Sequence, residues 1–285
     1  MADTAFTNSS RLARRQLLAA VSLGAAGLPV LAQSSGAAPD DGLAAAVAAT
    51  HRSAANRARD RWRHPLETLR FFGLNASQSV VEIAPGAGWY TEILAPLLRD
   101  RGRLVAAHYS QSDPSEYRRR SRAVFDAFLA ARPALYERVT TVTLPTGPRF
   151  VDSGMPAQVD AVLTFRNVHN WVTDGHLDDT LKAFASVLKP GGVLGVVDHR
   201  APAGASLDWM IRSGYVSEAL MEDRARAAGF RLDARSDINA NPNDTRYHVN
   251  GVWSLPPSFR GGAVDREKFA AIGESDRFTH RYVRV

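Results

Sequence analysis

The stretch VVEIAPGAGWYTEI, Val80–Ile93, sets the reading of the whole chain. Val80 to Ala84 is an apolar, β-branched run around one carboxylate, Glu82, as expected of a strand buried on both faces. Gly86 and Gly88 follow in a turn of small residues, and the segment from Trp89 predicts a helix start. A strand, a glycine turn and a helix in that order bring backbone N–H groups and the positive end of a helix to a ligand. Glycine permits the backbone angles and the close approach that such a cradle needs. The occupant has to be found elsewhere. A dinucleotide fingerprint asks for Gly or Ala where Thr91 stands, and a phosphate-binding P-loop asks for a Lys that is absent. A Rossmann-type dehydrogenase is therefore disfavoured.

Further apolar runs appear at 103–107, 139–144, 159–165 and 193–198, with helical patterns between most of them. One helix is expected over Thr91 to Leu98. A second, over Glu116 to Ala131, has Tyr117, Val124, Phe125, Phe128 and Leu129 as its apolar side and RRRSR (118–122) as a solvated face. A third places Leu177, Leu181, Phe184 and Leu188 on one face. Strands alternating with helices predict βαβ units and an α/β fold with a mostly parallel sheet. A helix is expected near Ser217 to Ala228, then a long loop over 238–275, then a last strand, RFTHRYVRV. Leu43 to Arg63 reads as helical, broken at Pro65. No internal repeat is visible.

The chain has 285 residues, 45% hydrophobic and 22% charged, with a net charge of +6 and no cysteine. The composition is that of a globular protein, and the missing cysteines exclude disulfides, thiolate nucleophiles and Cys-based metal sites. No Lys/Arg block carries interleaved aromatics, so nucleic acid is not an expected partner. Residues 1–32 read as a signal peptide: Arg11, Arg14 and Arg15, then an apolar run to Val30, then small residues up to Ala32. Arg14-Arg15 before Gln16-Leu17-Leu18 resembles a twin-arginine export signal, which implies a periplasmic destination and no stable membrane insertion once it is cut. A linker over 33–42 and a domain over 43–285 follow.

VVEIAPGAGWYTEIL resembles motif I of the class I S-adenosylmethionine-dependent methyltransferases, through Glu82, Ala84, Gly86 and Gly88. LKPGGVLGVVDH (188–199) resembles the segment that leads into their fifth strand, and about 105 residues separate Gly86 from Gly191, with three strand candidates between. RHPLETLRFFGL, TFRNVHNW, NGVWSLPPSF and GESDRFTHRYV resemble a bacterial branch of predicted, often exported, methyltransferases. The resemblance implies a Rossmann-like, doubly wound seven-stranded sheet with its last strand antiparallel, and S-adenosyl-L-methionine as cofactor. It implies a cofactor site over Glu82, Ala84, Pro85, Gly86, Ala87, Gly88, Tyr90 and Thr91, with His108 at the strand end where an acid usually binds the ribose, and Arg166 and Asn167 at the cofactor edge or on the substrate. Tyr109 or Asp113 is a possible substitute for His108.

Methyl transfer needs an aligned nucleophile and, where that nucleophile is protonated, a base. His169 is the first choice for the base, because imidazole titrates near neutrality. Asp198 and His199 are the other catalytic candidates, and alternation along a strand sends their side chains to opposite sides. FRNVHNW lacks the [DN]-P-P-[YFW] pattern of amino-methylating DNA enzymes. No metal site is expected, although Asp198, Asn167 and a histidine offer ligands for metal-assisted O-methylation. Two functions follow: methyl transfer to a small-molecule or envelope acceptor, or non-catalytic binding of S-adenosylmethionine or S-adenosylhomocysteine.

Overall fold

The structure, a computed structural model, describes residues 41–150, 155, 156 and 158–285. The predicted signal peptide and all but the last two residues of the predicted linker lie outside the described residues. Seven strands form one sheet: β1 Ser79–Ile83, β2 Arg103–His108, β3 Thr140–Thr143, β4 Val159–Phe165, β5 Leu188–His199, β6 Phe230–Ser236 and β7 Arg277–Arg284. Their order is β3-β2-β1-β4-β5-β7-β6, parallel except for β7. The five apolar runs of the sequence are β1 to β5, and the antiparallel last strand is the expected one.

Apolar residues cover both faces of the sheet. One layer includes Val81, Ile83, Leu181, Phe184 and Phe278, and the other includes Val80, Leu69, Phe72, Ile93 and Leu163. The chain leaves β1 toward β2 on one side and reaches β4 on the other, so the strand order reverses between β1 and β4. The carboxyl ends of strands at such a reversal form a crevice that connections do not fill.

Three expectations are corrected. The N-terminal helix is not continuous: Asp41–Ala48, Ala54–Arg57 and Asp60–Arg63 are separate, and Pro65–Phe71 follows. Ser53 interrupts it by capping the second piece, its hydroxyl accepting from the Asn56 N–H at 3.1 Å. On the helix Glu116–Ala131, Tyr117 is 75% exposed and Val124 48%, and Phe125 is the one fully buried side chain of the stripe. The long loop over 238–275 contains a 3₁₀ turn, Gly251–Ser254, and a helix, Arg266–Ile272. A further helix, Leu207–Ser213, falls in the irregular stretch after β5. Among the described residues no helix is long and apolar enough to cross a membrane.

Gly195 in β5 lets the N-terminal helices approach. A Cβ there would sit 2.8 Å from the side chains of Phe72 and Leu163. Gly195→Ala is expected to cost about 1–3 kcal/mol through overpacking. Phe72→Leu in the same chain should recover part of the loss, and urea denaturation of the three variants measures both effects.

Candidate active site

The β1 turn is built from left-handed backbone. Ala84, Gly86 and Gly88 have φ of 44°, 62° and 86°. The Ala84 N–H donates to Ala107 O at 2.7 Å, which holds the turn against the end of β2. A cavity of about 390 Å³ opens over it, with Glu82, Ala84, Pro85, Gly86, Ala87 and Tyr90 on its wall. A Cβ on Gly86 would meet nothing within 4 Å. The Tyr90 ring stacks on Phe165 at 3.5 Å and 13°.

Gly88, Thr91 and His108, all expected at the cofactor, stand behind this wall. A Cβ on Gly88 would press on the Phe128 ring at 2.5 Å. The Thr91 hydroxyl donates to Glu82 Oε2 at 2.7 Å. His108 is fully buried and accepts the Tyr109 N–H at Nδ1, which leaves Nε2 to donate toward Gly86 O at 3.4 Å. Burial pushes the His108 imidazole down to about 4, so it is neutral and braces the turn. Its neighbour Tyr109 lines the cavity in its place; Asp113 does not.

The second wall comes from the ends of β4 and β5. Arg166 follows β4 with φ 62° and donates its N–H to Val197 O at 2.7 Å. Asn167 ties β4 to β1, its Nδ2 donating to Ile83 O at 3.0 Å. The next helix, Val168–Thr173, carries His169 into the cavity wall. Asp198 is completely buried. Its Oδ2 accepts the Val168 N–H at 2.6 Å, and its Oδ1 accepts the His199 N–H at 2.7 Å and His169 Nδ1 at 3.1 Å.

Asp198 and His199 leave β5 on opposite sides, as alternation requires: His199 lines the cavity and Asp198 does not. Asp198 thus faces His169 from behind the cavity wall. The two imidazole rings stand 5.1 Å apart, and His199 Nδ1 pairs with Ser275 Oγ at 2.5 Å. Burial, then His169 and the arginines Arg166, Arg277 and Arg63, hold His199 well below the ordinary histidine range. Ligand atoms of His169, Asp198 and His199 lie within 4.8 Å of one another. Both Asp198 oxygens already accept backbone N–H groups, which fits an orienting role.

Two further parts of the wall come from elsewhere in the chain, and the first was not foreseen in the sequence. Arg59 and Arg63 from the N-terminal helices line the cavity, as do Val252, Trp253, Pro256, Pro257 and Ser258 from the long C-terminal segment. Trp253 meets the His169 ring edge-on at 6.2 Å. The spacing of Arg59 and Arg63 on one helical face was the available signal. Within the C-terminal segment Trp253 lines the cavity, whereas Tyr247 is 70% exposed.

By sequence, the chain matches no protein-family profile and no curated protein. By structure, it is similar to several solved folds. An S-adenosylmethionine-dependent methyltransferase from Aquifex aeolicus is 16% identical, with TM-score 0.53 over 80% of this chain and 93% of that one. The [4+2]-cyclase SpnF is 18% identical, with TM-score 0.52 over 81% of each chain. The pyocyanin biosynthetic protein PhzM is 16% identical, with TM-score 0.50 over 81% of this chain and 56% of that one. At these identities the likeness establishes the fold: a seven-stranded, methyltransferase-type Rossmann-like sheet.

Glu82 supplies a pH test of the turn. Burial raises its carboxyl to about 7 against the Thr91 hydroxyl bond, which lowers it. The folded state then holds a proton that the unfolded state releases above about 4.5. Its contribution is present below that pH and is lost as pH rises toward 7, on the order of 3 kcal/mol. His108 acts in the opposite sense, losing stability as pH falls from 6.5 toward 4. Glu82→Gln keeps an acceptor for Thr91, so its stability relative to wild type should rise between pH 5 and pH 7.5. Chemical denaturation at the two pH values reads the difference; an unchanged difference would show that Glu82 does not titrate in the fold.

Proposed function

We propose that this chain transfers the methyl group of S-adenosylmethionine to a small-molecule acceptor, with His169 as the base. The observation that carries the reading is the convergence of the β1 glycine turn and the His169–Asp198 pair on one cavity, at the point where the strand order reverses. The cavity suits the cofactor: it lies on a turn with open space at Gly86, and its volume falls in the range of ligand pockets. Glu82, Ala84, Gly86, Ala87, Tyr90 and Tyr109 would hold the cofactor there. When bound, S-adenosylmethionine supplies an electrophilic methyl group on a sulfonium.

The residues of the chain do the rest. Asp198 accepts the His169 Nδ1 proton, which fixes the tautomer and leaves Nε2 free to accept a proton from the nucleophile. The imidazolium so formed keeps its carboxylate partner. His199 stays neutral and adds no competing charge. Trp253 and the Pro256-Pro257 turn shield the pair from water.

Similarity to a [4+2]-cyclase shows that the fold is not confined to methyl transfer. Binding alone would need only the β1 turn and its cavity, and the second reading is a non-catalytic protein that binds S-adenosylmethionine or S-adenosylhomocysteine. Calorimetry with both nucleosides, then methyl release on an acceptor panel, separates the two. Asp198→Asn should leave S-adenosylhomocysteine affinity within about threefold and lower turnover by about 10²–10⁴. Turnover that survives this substitution would remove His169 from the base role.

We also propose that residues 1–32 direct export by the twin-arginine route, which carries folded cargo. The cofactor would then travel inside the folded protein, since it is made in the cytoplasm. Fractionation should find the mature chain in the periplasm with the nucleoside in its extract by mass spectrometry. An empty chain there overturns the co-transport idea, and a chain confined to the cytoplasm overturns export.

A further inference from the structure

The cavity wall carries an excess of positive charge. Arg59, Arg63 and Arg166 lie on it, and Glu82 is its one carboxylate among the described residues. Glu82 accepts from the Thr91 hydroxyl, and burial raises its carboxyl to about 7. Arg277 stands close behind. One buried carboxylate, Glu274, serves the group: it accepts from Arg59 Nε at 2.7 Å, Arg63 Nε at 3.1 Å and Arg277 Nη1 at 3.0 Å. One negative charge therefore faces four guanidiniums.

Three donors of the cluster are left over, Arg277 Nε behind the cavity and two on residues that line it. The Arg63 side chain is only 6% exposed, and its Nη2 has no hydrogen-bond partner. The Nη2 of Arg59 is buried and unpartnered as well. A buried donor without an acceptor costs about 1–3 kcal/mol, so unpartnered donors on cavity-lining side chains point to a ligand that draws them out and supplies the acceptor. The planar guanidinium fork matches a carboxylate or a phosphate. The cluster also adjoins the proposed reaction centre, because Arg166, Arg277 and Arg63 all act on His199.

The cofactor alone does not balance this charge. S-adenosylmethionine has one carboxylate against an ammonium and a sulfonium, so it brings about one further positive charge at neutral pH. We infer that the methyl acceptor is an anion, a small molecule whose carboxylate or phosphate group is gripped by Arg59, Arg63 and Arg166 while its nucleophile faces His169. The inference rests on the methyl-transfer reading and adds the substrate class to it.

Calorimetry on the full chain tests it. The protein, free or saturated with S-adenosylhomocysteine, is titrated with benzoate, phenyl phosphate and benzyl alcohol at matched ionic strength. The loaded protein should bind one of the two anions saturably, which tells carboxylate from phosphate, and should not bind the alcohol. Arg59→Gln should weaken that anion at least about tenfold with S-adenosylhomocysteine affinity within about threefold. Arg63→Gln, whose folding is checked by thermal melting because the side chain is buried, should do the same. Anion binding only to the free protein, with Arg59→Gln weakening the nucleoside instead, would assign the arginines to the cofactor's own carboxylate. That result, or no anion binding in either form, overturns the inference and leaves methyl transfer standing. No binding of S-adenosylhomocysteine overturns both.

Discussion

The Glu274 carboxylate receives hydrogen bonds from Arg59, Arg63 and Arg277, and the candidate site depends on that contact. Arg63 and Glu274 are 211 residues apart. Their pairing draws the N-terminal helices onto the end of β7 and so closes one side of the cavity. Strong local positive charge holds the carboxyl at about 2, even though burial alone would raise it. An ion pair taken out of water is a costly way to gain stability, and breaking one partner away is costlier still. Its effect here is therefore better seen as placement. Trp89 shares in it, with the Arg63 guanidinium over its ring at 4.7 Å and that of Arg52 at 5.2 Å. Arg52 in turn forms a two-pronged bond to Asp60, at 2.7 and 2.8 Å, which fixes the helix that carries Arg63.

Strand register couples this cluster to the histidine pair. In the β5–β7 ladder Asp198 faces Phe278 and His199 faces Arg277. A slip of one residue would turn each side chain to the other face of the sheet. It would carry Arg277 away from Glu274 and His199 away from Ser275 together. The antiparallel last strand thus serves the cavity from behind, although none of its residues lines it. Asn167 does a comparable task on the other side by bonding Ile83 O, which sets the distance between the ends of β1 and β4.

The sheet was legible because its strands are short β-branched runs with helices between them, a pattern that local chemistry dictates. The glycine turn was legible because Gly86 and Gly88 have few other uses in that place. Which turn residues face the cavity was not legible. Thr91 and His108 are polar residues next to a cradle, and from sequence they resemble contacts. Their partners, Glu82 and the Gly86 carbonyl, satisfy them inside the wall instead. The arginines were missed for a different reason. A basic run reads as a solvated face unless an acid is known to meet it, and Glu274 comes from the far end of the chain. The apolar stripe of helix Glu116–Ala131 misled in the reverse sense: the periodicity was right, but only Phe125 finds a fully covered surface.

The two histidines at the centre have different partners, and the arginines explain why that matters. His199 pairs with the neutral Ser275 hydroxyl, so nothing offsets burial and the nearby positive charge, and it remains neutral. His169 pairs with a buried carboxylate. A proton accepted at His169 creates a new cation beside an already cationic wall, in a region that water reaches poorly. Asp198 is the group that can compensate it, and two backbone N–H bonds hold that carboxylate in place before the proton arrives. An anionic acceptor would add a second offset on the cavity side, and its charge would persist after the methyl group had moved. The wall that would grip such a molecule is the same wall that would make Asp198 necessary to a base at His169, so the proposed substrate charge and the proposed base would be parts of one electrostatic arrangement.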